Sequence, residues 1–262
     1  MKKISLHFSI LTVSFFLVWL ILSRIDFRSM LNVEGFSREN EQKLTEIILE
    51  TVKQQHDESG SDSLKSIVRA VARRVCDSIG VTADSLTIVI MNNDEVNAFA
   101  LPGRTMLVNT GLIQYCRSAE ELAGVIAHEV GHMEKEHVTR KLIKEFGVAM
   151  LSTIIGGNSN RELLAELAKV ISSSAYDREQ ERDADLFAVR ALAAADIDPE
   201  HLSNFLFRLS REKGDVPRGM EWVSTHPDSK DRAAAVMTLR KEQSFRSVPI
   251  FSSPWEDLKQ QQ

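Results

Sequence analysis

Apolar residues dominate from Ile4 to Ser23, diluted by Ser5, His7, Ser9 and Ser14 but continuous from Phe15 to Leu22, between Lys2-Lys3 and Arg24. As a helix rising about 1.5 Å per residue, this run spans roughly 30 Å, close to the hydrocarbon thickness of a bilayer. No small-x-small pair suited to cleavage follows Leu22, so the run reads as a retained transmembrane anchor in preference to a cleaved leader. Lys2, Lys3 and the terminal amine slightly outweigh Arg24 and Arg28. That bias directs the rest of the chain across the membrane, to the non-cytoplasmic (periplasmic or extracytoplasmic) side.

Beyond the anchor the pattern becomes periodic. Ser37 to Gln55 predicts a polar, charged helix, and Asp57 to Asp62 predicts a break with Asp62 or Ser63 capping the next helix. In that helix Leu64, Ile67, Val68, Val71 and Val75 form one apolar stripe that ends at Gly80. Leu86 to Ile90 reads as a β-branched strand. Ala98 to Leu101 and Thr105 to Val108 read as two more, joined by a Pro102-Gly103 turn. After Gly111 the pattern is helical, and Ser118-Ala119-Glu120-Glu121 forms a capping box. Ile143 to Ile155 is too short to span a bilayer and reads as a core or membrane-grazing helix. The tail after Ser247 is polar and reads as loosely ordered. These elements make an α+β, mainly helical protein with a small sheet. Its predicted divisions are an anchor at 1–24, a polar helical linker at 25–62, a main domain at 63–246 and a tail at 247–262.

A net charge of -5, with no long Lys/Arg run, excludes a general nucleic-acid binder. Cys76 and Cys116 make no metal-binding spacing and read as buried apolar residues, unless an oxidising compartment pairs them.

The candidate chemistry lies in His128-Glu129-Val130-Gly131-His132. Histidines four apart sit on one helix face, so both imidazoles can bind one zinc ion at about 2.0–2.1 Å. Glu129, about 100° around the helix, lies beside the metal and can take a proton from water. Leu122, Val125, Ile126 and Val130 make this helix largely buried, and buried histidines need partners. A third histidine of the extended HExxHxxGxxH kind is absent, because Lys135 and Val138 hold the required glycine and histidine places. His137 is offset by one and reads as a solvated helix residue. The acid-rich stretch Tyr176 to Asp185 supplies a third ligand instead, and spacing alone leaves Glu179 and Glu181 open.

Several further pieces resemble the HtpX-like zinc metallopeptidases, the family that includes the CAAX prenyl proteases and mitochondrial inner-membrane quality-control peptidases. They are Asn97-Ala98-Phe99-Ala100-Leu101-Pro102-Gly103, Thr110-Gly111-Leu112, Glu121 to Ile126 leading into the HExxH, Arg178-x-x-Glu181-x-x-Ala184-Asp185, and Thr225-His226-Pro227 followed by Arg232. The resemblance implies a zincin-like domain with His128, His132 and Glu181 holding one zinc ion and Asp185 orienting a ligand. It also implies that His226 lies near the metal, either stabilising the oxyanion or filling the open coordination position at rest. Arg178 either supports the tetrahedral intermediate or pairs with nearby acids. The expected substrate is a polypeptide, misfolded or membrane-associated, paired as a strand on an exposed edge near Asn97, Ala98 and Phe99. The alternative function is a membrane-tethered zinc-binding chaperone or scaffold, which would have no need of Glu129. Nothing in the chain marks recognition of a free N-terminus, as an aminopeptidase would require, or fixes the oligomeric state.

Overall fold

The computed structural model describes residues 36–173, 175–211 and 221–259. The Ile4–Ser23 run, with the anchor expected there, lies outside them. Among the described residues no helix is long and apolar enough to cross a membrane.

The body opens with α1 (Arg38–Lys53), capped by the Ser37 hydroxyl accepting from the Asn40 amide. This helix, expected as part of a linker, is instead packed on the body: Leu44, Thr45 and Ile48 are buried, and Thr45 Oγ1 donates to the Pro102 carbonyl at 2.6 Å. Next comes α2 (Asp62–Ser78), whose cap is Ser61, one residue before the expected Asp62. Its predicted stripe is buried throughout. Three short strands follow: β1 (Thr87–Met91), β2 (Ala98–Leu101) and β3 (Thr105–Asn109). Their order is β1-β3-β2, with β1 parallel and β2 antiparallel to the central β3. Phe99 and Val89 both stand opposite Leu107.

The other regular elements are helices. In order come α3 (Thr110–Tyr115), α4 (Ala119–Glu134), α5 (His137–Ile155), α6 (Arg161–Ser173), α7 (Arg178–Ala194), α8 (Glu200–Arg211), α9 (Glu221–Thr225), α10 (Ser229–Arg240) and α11 (Trp255–Lys259). The helix α4 runs through the centre of the core, with α2, α7 and α8 packed around it. Its capping box is only half made. Ser118 accepts from the Glu121 amide, but the Glu121 carboxylate is drawn to Arg208, at 2.7 Å from both terminal guanidinium nitrogens, and to the Arg117 amide. The two-pronged partner gives this buried acid paired, charge-assisted hydrogen bonds.

Two glycines permit the close approaches that bring the motifs together. Gly131 lets α7 come close, since a Cβ there would stand 3.1 Å from Ala184 Cα. At Gly111 a Cβ would collide with the backbone carbonyl of Asp94, which has no flexible end to swing aside. Gly111→Ala should therefore destabilise the protein by about 1–3 kcal/mol or more. Thermal melts of the two proteins test this, and an unchanged melting temperature would contradict it.

The C-terminal tail is not loose. Through Lys259 it lies against the body, with Trp255 Nε1 donating to the Cys116 carbonyl at 2.8 Å and Lys259 Nζ to the Gln114 carbonyl at 3.1 Å. Ile250 N donates to Glu120 Oε1 on the first turn of α4. Polar composition alone suggests loose order, but one indole and one buried ammonium anchor the segment. Cys76 and Cys116 are buried free thiols, and burial pushes the Cys76 thiol up to about 11.

Candidate active site

Four side chains converge at the middle of the body. His128 and His132 stand one turn apart on α4, Glu181 comes from the first turn of α7, and His226 follows α9. His128, His132 and His226 are fully buried, and Glu181 is 2% exposed. His128 Nε2 lies 3.1 Å from His132 Nε2 and 3.3 Å from His226 Nδ1. Glu181 Oε1 lies 2.9 Å from His226 Nδ1 and 3.5 Å from His132 Nε2. The donor atoms of a tetrahedral metal site with bonds of about 2.0–2.1 Å stand about 3.3 Å apart. These four spacings lie near that value, and all the donors fall within 4.8 Å of one another. Three imidazoles and one carboxylate are also the donor types that zinc favours. Residues and geometry thus fit a metal ion.

Positions in the α7 segment separate the candidates that spacing had left open. Glu179 is exposed, whereas Glu181 points inward. The helix is placed by a complete capping box: Asp177 accepts from the Glu179 and Gln180 amides, and Gln180 returns a bond to the Asp177 amide.

A ring of partners orients the four donors. Asp185 Oδ1 lies 3.1 Å from His128 Nδ1, so it can hold that ring from the side away from the donors. Arg232, from α10, grips Asp185 with two bonds of 2.7 and 2.8 Å and also contacts Glu181 Oε2. Burial opposes ionisation of both acids, yet the guanidinium, with His226 and His132 at Glu181, holds their pKa values below the ordinary range. The Tyr176 ring stacks on His132 at 3.9 Å between centroids, and Trp222 stacks on His226 at 4.1 Å. Burial pushes His132 well below its usual pKa and His226 down to about 4, so both imidazoles are neutral and ready as donors at pH 7.

Glu129 stands beside these donors. Its Oε2 accepts from the Ala100 amide on β2 at 2.8 Å. Oε1 makes no hydrogen bond among the described residues and lies 3.5 Å from His226 Nε2, which makes none either. Burial, then the nearby Glu181, raises the Glu129 carboxyl well above the carboxylate range despite the Ala100 bond. A buried carboxyl with one free oxygen and a raised pKa is suited to taking and returning a proton.

Other expected residues sit differently. Arg178 is at the surface, its Nε 2.8 Å from Asp228 Oδ2, on the rim of a cavity of about 560 Å³ that has Glu181, Asp185 and Arg232 in its wall. Asn97, Ala98 and Phe99 lead into Ala100, whose amide donates to Glu129, but they are buried, not on an exposed edge as expected. The helix α6 packs against β2, and Ala165 and Ala168 share a groove wall with Phe99. His137, read as solvated, is 3% exposed, and its Nδ1 lies 3.0 Å from His132 Nδ1. Sequence reasoning missed the contacts of Tyr176, Trp222 and His137 and gave Arg232 no task. The nearest signals were the place of Trp222 before Thr225-His226-Pro227 and that of Tyr176 before the acidic run.

The chain is similar in sequence to known proteins. Mitochondrial metalloendopeptidase OMA1 of Arabidopsis thaliana is 31% identical over 149 residues, covering 57% of this chain and 30% of that protein. The beta-barrel assembly-enhancing protease of Escherichia coli is 27% identical over 157 residues, covering 55% of this chain and 32% of that protein. The mitochondrial metalloendopeptidase OMA1 of Bos taurus is 27% identical over 248 residues, covering 86% of this chain and 47% of that protein. The chain thus spans between about a third and a half of the length of these relatives. The model of peptidase family M48 matches residues 61–240, a stretch that holds all four converging donors and Glu129, and the chain belongs to that family.

Proposed function

We propose that the protein is a zinc-dependent endopeptidase, in which His128, His132 and Glu181 hold one metal ion and Glu129 moves the proton. The observation that carries this reading is the convergence of the four buried donors, within 4.8 Å of one another, with an unbonded Glu129 oxygen beside them. Zinc bound there would supply a Lewis acid that polarises a peptide carbonyl and acidifies water. Glu129 Oε1 takes the proton from the attacking water and passes it to the leaving amine. The Ala100 N–H on Glu129 Oε2 keeps the other oxygen aimed inward.

His226 gives the described conformation its character. With its Nδ1 among the donors, four protein groups surround the metal position and none is left for substrate. We read this as a resting state, supported by the burial of the β2 edge, which a substrate strand needs for pairing. Withdrawal of His226 would open the fourth position and leave its ring able to donate to the oxyanion.

The Ile4–Ser23 run supports attachment to a membrane, with the body on the non-cytoplasmic side. The names of the relatives place two of them in mitochondria and connect the third with β-barrel assembly. Misfolded or membrane-associated polypeptides are accordingly the proposed substrate class. Nucleic acid is not, given the negative charge.

Metal analysis and casein cleavage by the full chain in mild detergent test the reading. About one zinc per chain is expected, with cleavage of unfolded casein that a chelator abolishes and added zinc restores. Metal-free protein that cleaves equally well would overturn it. A zinc-loaded protein that leaves casein intact, with the amide edge of β2 still protected from hydrogen exchange, would support the resting conformation.

A further inference from the structure

His137 does no chemistry in the scheme above, yet it touches the centre. Its Nδ1 is 3.0 Å from His132 Nδ1, on the side of that ring away from the other donors, and it is 3% exposed. We propose that His137 is a positioning residue: its Nδ1 accepts a hydrogen bond from His132 Nδ1–H and thereby locks His132 into the tautomer that offers Nε2 to the metal. The inference rests on the zinc reading of the site.

Two ring nitrogens at hydrogen-bond distance need one proton between them, one donating and the other accepting. A metal on His132 Nε2 requires that nitrogen bare, so the proton of His132 must sit on Nδ1. His132 is then the donor and His137 the acceptor, with the proton of His137 on Nε2. The backbone explains how a residue only five places on comes back beneath the ring. The catalytic helix ends at Glu134, Glu136 adopts a left-handed φ of 55°, and α5 restarts at His137 in a new direction. Tyr176 stacks on the flat face of His132 while His137 meets its edge, so rotation and flipping are both blocked.

The pairing makes the two α4 histidines unequal. His128 leans on the carboxylate of Asp185, itself gripped by Arg232, whereas His132 leans on a neutral ring. Glu129, Glu181 and Asp185 already crowd the centre with carboxyl groups. A neutral acceptor fixes the second ligand without adding a fourth.

The test compares His137→Leu and His137→Asn in the full chain, with zinc affinity measured by competition with a chelating dye. Asn carries its carbonyl oxygen at the place of Nδ1 and can accept the bond; Leu fills space and cannot. We expect Leu to weaken zinc binding by about 10- to 100-fold and Asn to stay close to wild type. Leu binding zinc as tightly as wild type, or Asn failing as badly as Leu, would overturn the inference while leaving the metal reading intact. A wild-type chain that takes up no zinc would overturn both. Nitrogen-15 spectra of the imidazoles in zinc-loaded wild type give an answer that does not depend on a variant folding. A proton on His132 Nδ1 and none on His137 Nδ1 is the expected result, and the reverse would refute the assignment.

Discussion

Glu129→Gln is expected to leave zinc content unchanged and to lower casein cleavage by about 10²- to 10⁴-fold. Glutamine has the shape of glutamate, and its carbonyl oxygen can go on accepting the Ala100 N–H bond now made to Oε2. What it loses is the ability to take a proton at the free oxygen near His226. The same change alters stability in a direction that separates it from damage. Burial holds the Glu129 carboxyl well above its ordinary pKa, so folding favours the protonated form. That contribution is complete below the unfolded pKa of about 4.3 and is lost as pH rises through the folded value. The metal-free variant should therefore match or exceed wild type in thermal stability at neutral pH, by a margin that shrinks on acidification. Equal cleavage by the two proteins would remove Glu129 from the chemistry and favour a metal-binding scaffold.

Arg232→Leu should cost about 3–5 kcal/mol, because it removes one side of a buried charge cluster and leaves the other. Arg232 is 5% exposed and spans Asp185 and Glu181, themselves 2% exposed. Burial alone would push both carboxyls up; in wild type the guanidinium contributes to the reversal, and Asp185 ends below its usual value. The stabilising share of Asp185 is thus present above its unfolded pKa of about 3.9 and lost as pH falls through the lower folded value. Without Arg232 burial meets less opposition, and the deficit should be greatest near pH 7 and narrow toward pH 4 as protons neutralise the stranded acids. Melts of the metal-free proteins across that range measure it. A deficit independent of pH would point to lost packing rather than lost charge.

Much of the body was legible from local pattern. The stripe Leu64 to Val75, the Pro102-Gly103 turn and the Ser118 cap each follow from a period or from one residue's chemistry, and each lies where expected to within a residue or so. The HExxH spacing put His128 and His132 on one face because a helix fixes that relation within a single turn. Bringing Glu181 to them requires α7 to cross α4 at Gly131, a long-range packing fact that spacing could not express. His137 was misread for a local reason. Continued as one helix, position 137 points away from position 132; the left-handed Glu136 breaks the helix and reverses that direction. Burial of the β2 edge by α6 was also beyond the pattern, since an amphipathic helix declares that it has a partner and not which one. The tail was misjudged on composition, because Trp255 and Lys259 are few in number but make specific bonds to two carbonyls.

Those bonds bear on how the molecule comes into being. A ribosome delivers α4 long before it delivers residues 250–259, so the first turn of that helix must wait uncovered, with Glu120 and the Cys116 carbonyl still facing water. Until Trp255 arrives the nascent chain has a metal motif but not its finished foundation. A newly made body is in that sense held back from completion until residues 250–259 have been made.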